Sequence, residues 1–248
     1  MKLIKTENYR DMSQKASHIF LDQMDAKRDP VLGLATGGTV KGVYYELIQL
    51  YKEGRISFSE AVSFNLDEYF GMKKEDPNSY FSYMQKQLFH YTDFAPNHNH
   101  IPDGTAEDPV RECGRYERMI EEAGGVDLQL LGIGENGHIG FNEPGTSFDI
   151  PTHLVQLTDS TRKANARYFE TMNDVPEKAV TMGINTIMKS RKIVLLASGV
   201  KKAAAIERLW YGEVTEEFPA SVLKNHPDVT IIADAEALSG IREGDSAS

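Results

Sequence analysis

The sequence predicts an α/β fold in a single domain, built on a mostly parallel sheet with helices on both faces. Two observations carry this prediction. Apolar, β-rich runs alternate along the chain with stretches whose apolar residues recur three or four apart. No internal repeat, low-complexity tract or linker interrupts the alternation, and 248 residues suit one large domain better than two small ones.

In chain order, the first strand falls at 2–6, where Leu3 and Ile4 sit between lysines, and a helix over 8–25 follows with Met12, Ala16 and Phe20 on one face. The run Val31-Leu32-Gly33-Leu34-Ala35 predicts a buried strand over 31–35, leading into a helix over 40–53 with Val43, Leu47 and Leu50 in register. Alternation of Val62, Phe64 and Leu66 marks a strand over 61–66, and helical spacing returns over 79–90 and 109–123. Further strands fall at 127–133 and 192–197, with a sixth at 229–233. Helices are expected over 160–169 and 200–211. The stretch from 135 to 158 is the longest without helical spacing, and long irregular segments inside compact domains are usually functional.

Composition narrows the function classes. There are 27 Lys and Arg against 37 Asp and Glu, so the formal charge is -10. That charge disfavours nucleic acid and anionic membranes as partners, and no separate basic face is visible. A lone Cys113 excludes an internal disulfide, and the N-terminal segment has no apolar core of a signal peptide. No apolar run approaches the ~20 residues that span a bilayer. A cytoplasmic protein is the expectation.

Ligands of open α/β sheets bind beyond the carboxyl ends of the strands, so the residues after each strand carry the argument. After the second strand, Thr36-Gly37-Gly38-Thr39 feeds a helix N-terminus, where free N–H groups and the helix dipole favour an anion such as phosphate. A tight turn capped by Thr39 explains the same residues. The Walker pair of lysine and hydroxyl is absent. At the third strand, Asp67 stands at the tip beside Tyr69 and Phe70, placed to act as a general base with a raised pKa, or simply to cap a turn. After the fourth strand, Gly132-Ile133-Gly134-Glu135-Asn136-Gly137 matches a dinucleotide fingerprint. The glycines and Pro144 that follow leave no room for the helix this fingerprint must open, so a nicotinamide site is rejected. His138, set among Asn136, Asn142 and Glu143, suits proton transfer near neutral pH. Zinc lacks supporting ligands in the sequence. Lys201 and Lys202 open the helix after the fifth strand against the usual preference for acids there, which suggests either a bound anion or two solvated side chains. Arg162, Lys163 and Arg167 lie on one expected helix, and periodicity does not choose among them. His98 and His100 in a polar connector are read as solvated, Cys113 as a core or half-buried thiol, and Trp210 and Tyr211 as packing residues.

Three segments, Leu32 to Thr39, Phe64-Asn65-Leu66-Asp67-Glu68-Tyr69, and Gly132 to Pro144, together resemble the glucosamine-6-phosphate deaminase family, and the likeness runs through nearly the whole chain in order. The resemblance implies a Rossmann-like fold and a cytoplasmic hydrolase of amino sugar metabolism and N-acetylglucosamine degradation. That enzyme converts glucosamine 6-phosphate and water into fructose 6-phosphate and ammonia, without metal or organic cofactor. It implies catalytic roles for Asp67, Asn136, His138 and Glu143: Asp67 moves the C2 proton to C1, His138 opens the pyranose ring, and Glu143 tunes the imidazole. It also implies a phosphate site made of Gly37, Gly38, Thr39, Arg167 and Lys202, and an active-site lid around 152–178.

Two departures from the family pattern stand out. Asn136 replaces a common aspartate, and an amide orients His138 without stabilising its charged form. His153 and Val155 stand where allosteric hexameric members carry arginine and lysine, and the chain ends soon after its last strand, so an unregulated monomer or small homo-oligomer is expected. The rivals are a 6-phosphogluconolactonase-like hydrolase, disfavoured by the presence of Asp67 with Glu143, and a catalytically silent sugar-phosphate sensor. Regulators of the latter kind carry a DNA-binding segment outside the fold, which is not visible here.

Overall fold

A computed structural model describes residues 1–242 and 244. Among these, the strands are β1 (Lys2–Thr6), β2 (Val31–Leu34), β3 (Val62–Asn65), β4 (Asp67–Tyr69), β5 (Asn99–His100), β6 (Leu128–Gly132), β7 (His153–Gln156), β8 (Lys178–Thr181), β9 (Lys192–Ala197) and β10 (Val229–Asp234). The α-helices are α1 (Tyr9–Ala26), α2 (Lys41–Lys52), α3 (Tyr80–Gln87), α4 (Pro109–Glu122), α5 (Asp159–Asn165), α6 (Ile184–Met188) and α7 (Ala203–Tyr211). Seven strands form one parallel sheet in the order β1-β10-β9-β6-β2-β3-β5. The predicted α/β class and single domain therefore hold, and all six expected strands are present within a residue or two of their expected ends.

Local sequence explains the elements. All four residues of β2 are buried, as a continuous apolar run between two covered faces requires. Asn8 caps α1 by accepting the N–H groups of Arg10 and Asp11, and Asp108 caps α4 with Pro109 in the first helical position. The core joins Phe20 and Tyr44 from the helices to Leu32, Leu34, Phe64 and Leu195 from the sheet. From β2 the chain moves outward through β3 to β5 in one direction, then returns to β6 on the other side of β2 and continues through β9 to β10. Neighbouring connections diverge between β2 and β6, and a crevice opens there.

The structure corrects several boundaries. The strand expected over 61–66 ends at Asn65, and Asp67 begins a separate strand in a second sheet, β4-β8-β7, which is antiparallel. These strands are only three or four residues long and mix polar with apolar side chains, so they show little periodicity. The helix expected over 79–90 breaks at Leu88, whose backbone leaves the helical region, and a 3₁₀ turn follows. The helices over 160–169 and 200–211 likewise contain 3₁₀ segments, at Ala166–Tyr168 and Val200–Lys202. Thr39 caps nothing: α2 starts after Val40 with no side-chain cap. Among the described residues no helix is long and apolar enough to cross a membrane.

Candidate active site

The carboxyl ends of β2, β3, β6 and β9 surround a cleft of about 250 Å³. Thr36, Gly37, Gly38 and Thr39 form one wall, Asp67 and His138 face it, and Arg167 and Lys202 close the rim. A larger cavity of about 540 Å³, lined by Lys73, His100 and Arg115, includes none of these strand-end residues. Size alone does not make it the better candidate, because it lacks a convergent set of proton-moving and anion-binding groups.

The glycine turn is held by its carbonyls. Tyr83 Oη donates to the Gly37 carbonyl at 2.7 Å, and Tyr9 Oη donates to that of Gly38 at 3.0 Å. The N–H groups of Gly38 and Thr39 donate to no acceptor among the described residues. With the uncapped start of α2 behind them, they form a ready anion site.

Asp67 owes its position to the switch between sheets. Met182 N donates to the Leu66 carbonyl at 2.7 Å, which carries the chain from the parallel sheet onto β8. Asp67 is then paired across from Thr181 and is only 6% exposed. Burial, helped by the neighbouring charge of Glu68, pushes its carboxyl up to about 8. Glu68 points elsewhere: its carboxylate accepts the N–H groups of Tyr69, Tyr80 and Phe81, each at 2.9 Å, and so secures the start of α3. Burial drives the Glu68 carboxyl up and these hydrogen bonds oppose it, leaving it at about 7.

The loop after β6 is stitched to the same place. Asn142 Nδ2 donates to the carbonyls of Ile139 and Met182 at 2.8 and 2.9 Å, and Phe141 N donates to Thr181 Oγ1 at 3.2 Å. His138 lies back over Gly134, where a Cβ would meet its ring at 2.3 Å, so glycine is the residue that lets the ring sit there. Gly137 turns with φ of 85°, and a Cβ on it would strike the Phe218 ring at 2.2 Å. The fingerprint glycines thus serve an imidazole and a ring, not a dinucleotide.

His138 Nδ1 is buried without a hydrogen-bond partner among the described residues, and Glu143 Oε2 faces it at 3.6 Å. A shift of a few tenths of an ångström closes that contact, a common tightening when substrate binds. Burial alone raises the Glu143 carboxyl, but the His138 imidazole close by and hydrogen bonds from Thr161 and Asn136 outweigh it and bring it down to about 2. Asn136 corrects an expectation. Its Nδ2 donates to Glu143 Oε2 at 2.6 Å, and its Oδ1 accepts the main-chain N–H of His138 at 3.2 Å. Asn136 therefore orients Glu143 and the loop, and does not bond the imidazole. Asn136 and Glu143 stand behind the cleft rather than lining it.

The basic residues are sorted by tertiary structure. Lys202 is half-buried on the cleft rim, where burial lowers its pKa and the Glu135 charge opposes that fall. Lys201 is exposed, away from the cleft. On the segment between β7 and β8, Arg167 reaches the cleft, Arg162 donates to the Val175 carbonyl at 3.0 Å, and Lys163 faces solvent. The one helix expected for these three residues is split, with Arg162 and Lys163 on α5 and Arg167 on a 3₁₀ turn. Sequence reasoning missed Tyr80 and Thr161, which also line the cleft. The spacing of Thr158 and Thr161, a cap and its third residue, was the available signal for the latter. Among the described residues no group of three or more His, Cys, Asp or Glu is placed to hold a metal ion.

Comparison with known proteins adds to this geometry. The sequence pattern of the family described as glucosamine-6-phosphate isomerases/6-phosphogluconolactonase matches residues 5–232. The chain is 54% identical over 239 residues to a glucosamine-6-phosphate deaminase of Geobacillus sp. (strain WCH70), covering 96% of this chain and 95% of that one. It is 50% identical over 239 residues to glucosamine-6-phosphate deaminase 1 of Bacillus subtilis (strain 168), covering 96% and 99%. A solved structure described as a monomeric glucosamine-6-phosphate deaminase superposes with a TM-score of 0.95 at 50% identity, over 97% of this chain and 100% of the other. A 6-phosphogluconolactonase from Trypanosoma brucei superposes with a TM-score of 0.78 at 17% identity, covering 97% and 98%, a likeness of fold alone.

Proposed function

Because the chain belongs to the family of glucosamine-6-phosphate isomerases and 6-phosphogluconolactonases, we propose how its cleft performs the family's deaminating reaction. The activity is that of a glucosamine-6-phosphate deaminase: glucosamine 6-phosphate and water become fructose 6-phosphate and ammonia. Water is consumed and a C–N bond is broken, so the net change is a hydrolysis. The bond changes at C1 and C2 are an internal isomerisation.

The phosphate rests on the free N–H groups of Gly38 and Thr39, beside Gly37, with Arg167 and Lys202 supplying positive charge. A dianion needs such a pocket in a chain of net charge -10. With the phosphate anchored, His138 shuttles a proton from the C1 hydroxyl to the ring oxygen and opens the pyranose, while Glu143 holds the imidazole. Asp67 then takes the proton from C2. The C–H electron pair forms the C1=C2 double bond of an enolamine, and the C2 ammonium gives one of its protons to the aldehyde oxygen, which becomes a hydroxyl. Asp67 returns its proton to C1, leaving an imine at C2. Water adds to C2, and ammonia leaves as the ketone forms.

The observation that carries this reading is the buried Asp67 carboxyl, raised to about 8 and open to the same cleft as the phosphate turn and His138. A base of that strength suits abstraction of a carbon-bound proton, which lactone hydrolysis does not require. It is also held largely protonated at neutral pH in the empty cleft, and the substrate's own C2 ammonium, placed beside it, favours the carboxylate. The segment 152–178 is assigned as a lid. Its ends are β7 and β8, pinned antiparallel to each other, and the helix between them reaches over the phosphate site. A monomer is the assembly proposed, on the likeness to the solved structure described as a monomeric deaminase. The test is release of ammonia and fructose 6-phosphate from glucosamine 6-phosphate. Wild type is expected to release both in equal amounts and Asp67→Asn to lose at least ~100-fold in kcat. Binding of the sugar phosphate without ammonia release would refute the reading in favour of a silent sensor.

A further inference from the structure

Thr161 lies on α5, is buried, and donates its hydroxyl proton to Glu143 Oε1. The other oxygen of Glu143 accepts from Asn136 and faces the His138 ring. The two oxygens are thus divided: the lid helix holds one and the imidazole side holds the other. Thr158 completes the arrangement. Its oxygen caps α5 by accepting the Thr161 N–H at 3.2 Å, and its single proton is within reach of Thr161 Oγ1 at 3.1 Å, Ser160 Oγ at 2.9 Å and Glu143 Oε1 at 3.4 Å. When that proton goes to Thr161, the Thr161 proton is left for Glu143, and a hydroxyl that accepts one bond donates the next more strongly. The same lid segment carries Arg167 to the phosphate site.

We propose that Thr161 is a positioning residue whose hydroxyl locks the Glu143 carboxylate toward His138, so that ring opening runs at full rate only when the lid helix is seated. This role rests on the function assigned above. It links phosphate binding at one end of the lid to proton transfer at the other, through a single hydroxyl. Freed from Thr161, Glu143 rotates away from the imidazole, and the relay loses orientation while the phosphate contacts remain.

The experiment compares wild type, Thr161→Val and Thr161→Ser for kcat and KM with glucosamine 6-phosphate, and for competitive inhibition by inorganic phosphate. Valine keeps the shape and removes the hydroxyl, and it is expected to lower kcat about tenfold or more, part of the ~100-fold a positioned acid or base supplies. KM and the phosphate inhibition constant should stay within about twofold, since the phosphate contacts are untouched. Serine keeps the hydroxyl and should restore most of kcat. Three results would overturn the role: equal kcat in the valine variant, a valine effect confined to KM and phosphate inhibition, or a serine variant as impaired as valine. The last two would reduce Thr161 to a packing contact of the lid. Absence of turnover in wild type would instead refute the assigned function, and this role with it.

Discussion

Asp67 is stored in the fold at a cost to stability that pH controls, and removing its charge should make the protein more stable where the wild type is weakest. The carboxyl is raised from its ordinary 3.8 to about 8 by burial first and by the Glu68 charge second. Between those two values the folded chain keeps a proton that the unfolded chain has lost. Stability from this group is therefore highest below pH 3.8, falls as pH rises, and levels off above pH 8. At about 1.36 kcal/mol for each pH unit, the penalty is about 2 kcal/mol at pH 5.5 and roughly 6 kcal/mol at pH 9. Being only 6% exposed, the group is little relieved by solvent. Asp67→Asn removes the ionisation and introduces a buried amide, whose unmet hydrogen bonds cost ~1–3 kcal/mol at every pH. The absolute gain is thereby reduced, but its pH dependence is not. Urea unfolding of both proteins at pH 5.5 and pH 9 should show the advantage of the variant growing by about 3 kcal/mol between the two. A difference that stays flat within ~0.5 kcal/mol would mean that Asp67 titrates as it does in the unfolded chain, and would remove the physical basis for the role proposed for it as a base.

Three further outcomes follow from the same geometry. The acid limb of kcat/KM against pH should turn near pH 8, falling tenfold per unit below it, because the proposed mechanism requires Asp67 as carboxylate in the free enzyme; an activity level from pH 6 to 9 would contradict this. Gly134→Ala places a methyl 2.3 Å from the His138 ring, so kcat should fall at least ~10-fold while the unfolding free energy drops by no more than the ~1–3 kcal/mol of an overpacked site; unchanged kcat would show that the ring position is immaterial. Lys202→Met keeps the stem and removes the charge on the cleft rim, and KM should rise about 10- to 100-fold, or ~1.4–2.8 kcal/mol, with a weaker dependence on salt; a loss confined to kcat would place Lys202 outside the phosphate site.

Much of this was legible in the sequence because a parallel α/β sheet turns order along the chain into position in space. Each strand ends on the same edge, so residues as distant as Gly38, Asp67, His138 and Lys202 are brought to one cleft merely by following strands. The alternation of apolar runs with helical spacing therefore determined the fold class, the strand positions and the edge on which chemistry collects. The motif after β6 announced an irregular loop rather than a helix, and Pro144 with its glycines sufficed for that reading.

Other features were decided by contacts between distant segments, which no local pattern encodes. The three-stranded sheet that buries Asp67 joins residues 67–69 to 178–181, and burial of a carboxyl is a property of what surrounds it. The choice of Lys202 over Lys201 depended on a 3₁₀ turn after Gly199, whose φ of 87° and bonds to Asp234 aim the chain. Asn136 turned out to serve Glu143, and the hydroxyl of Thr161 meets that carboxylate across 18 residues. The sequence by itself determined which groups were available and on which edge they would gather. Tertiary structure alone decided which were buried, which were paired and how their protons were held, because solvation and hydrogen-bond geometry depend on distances through space rather than along the chain.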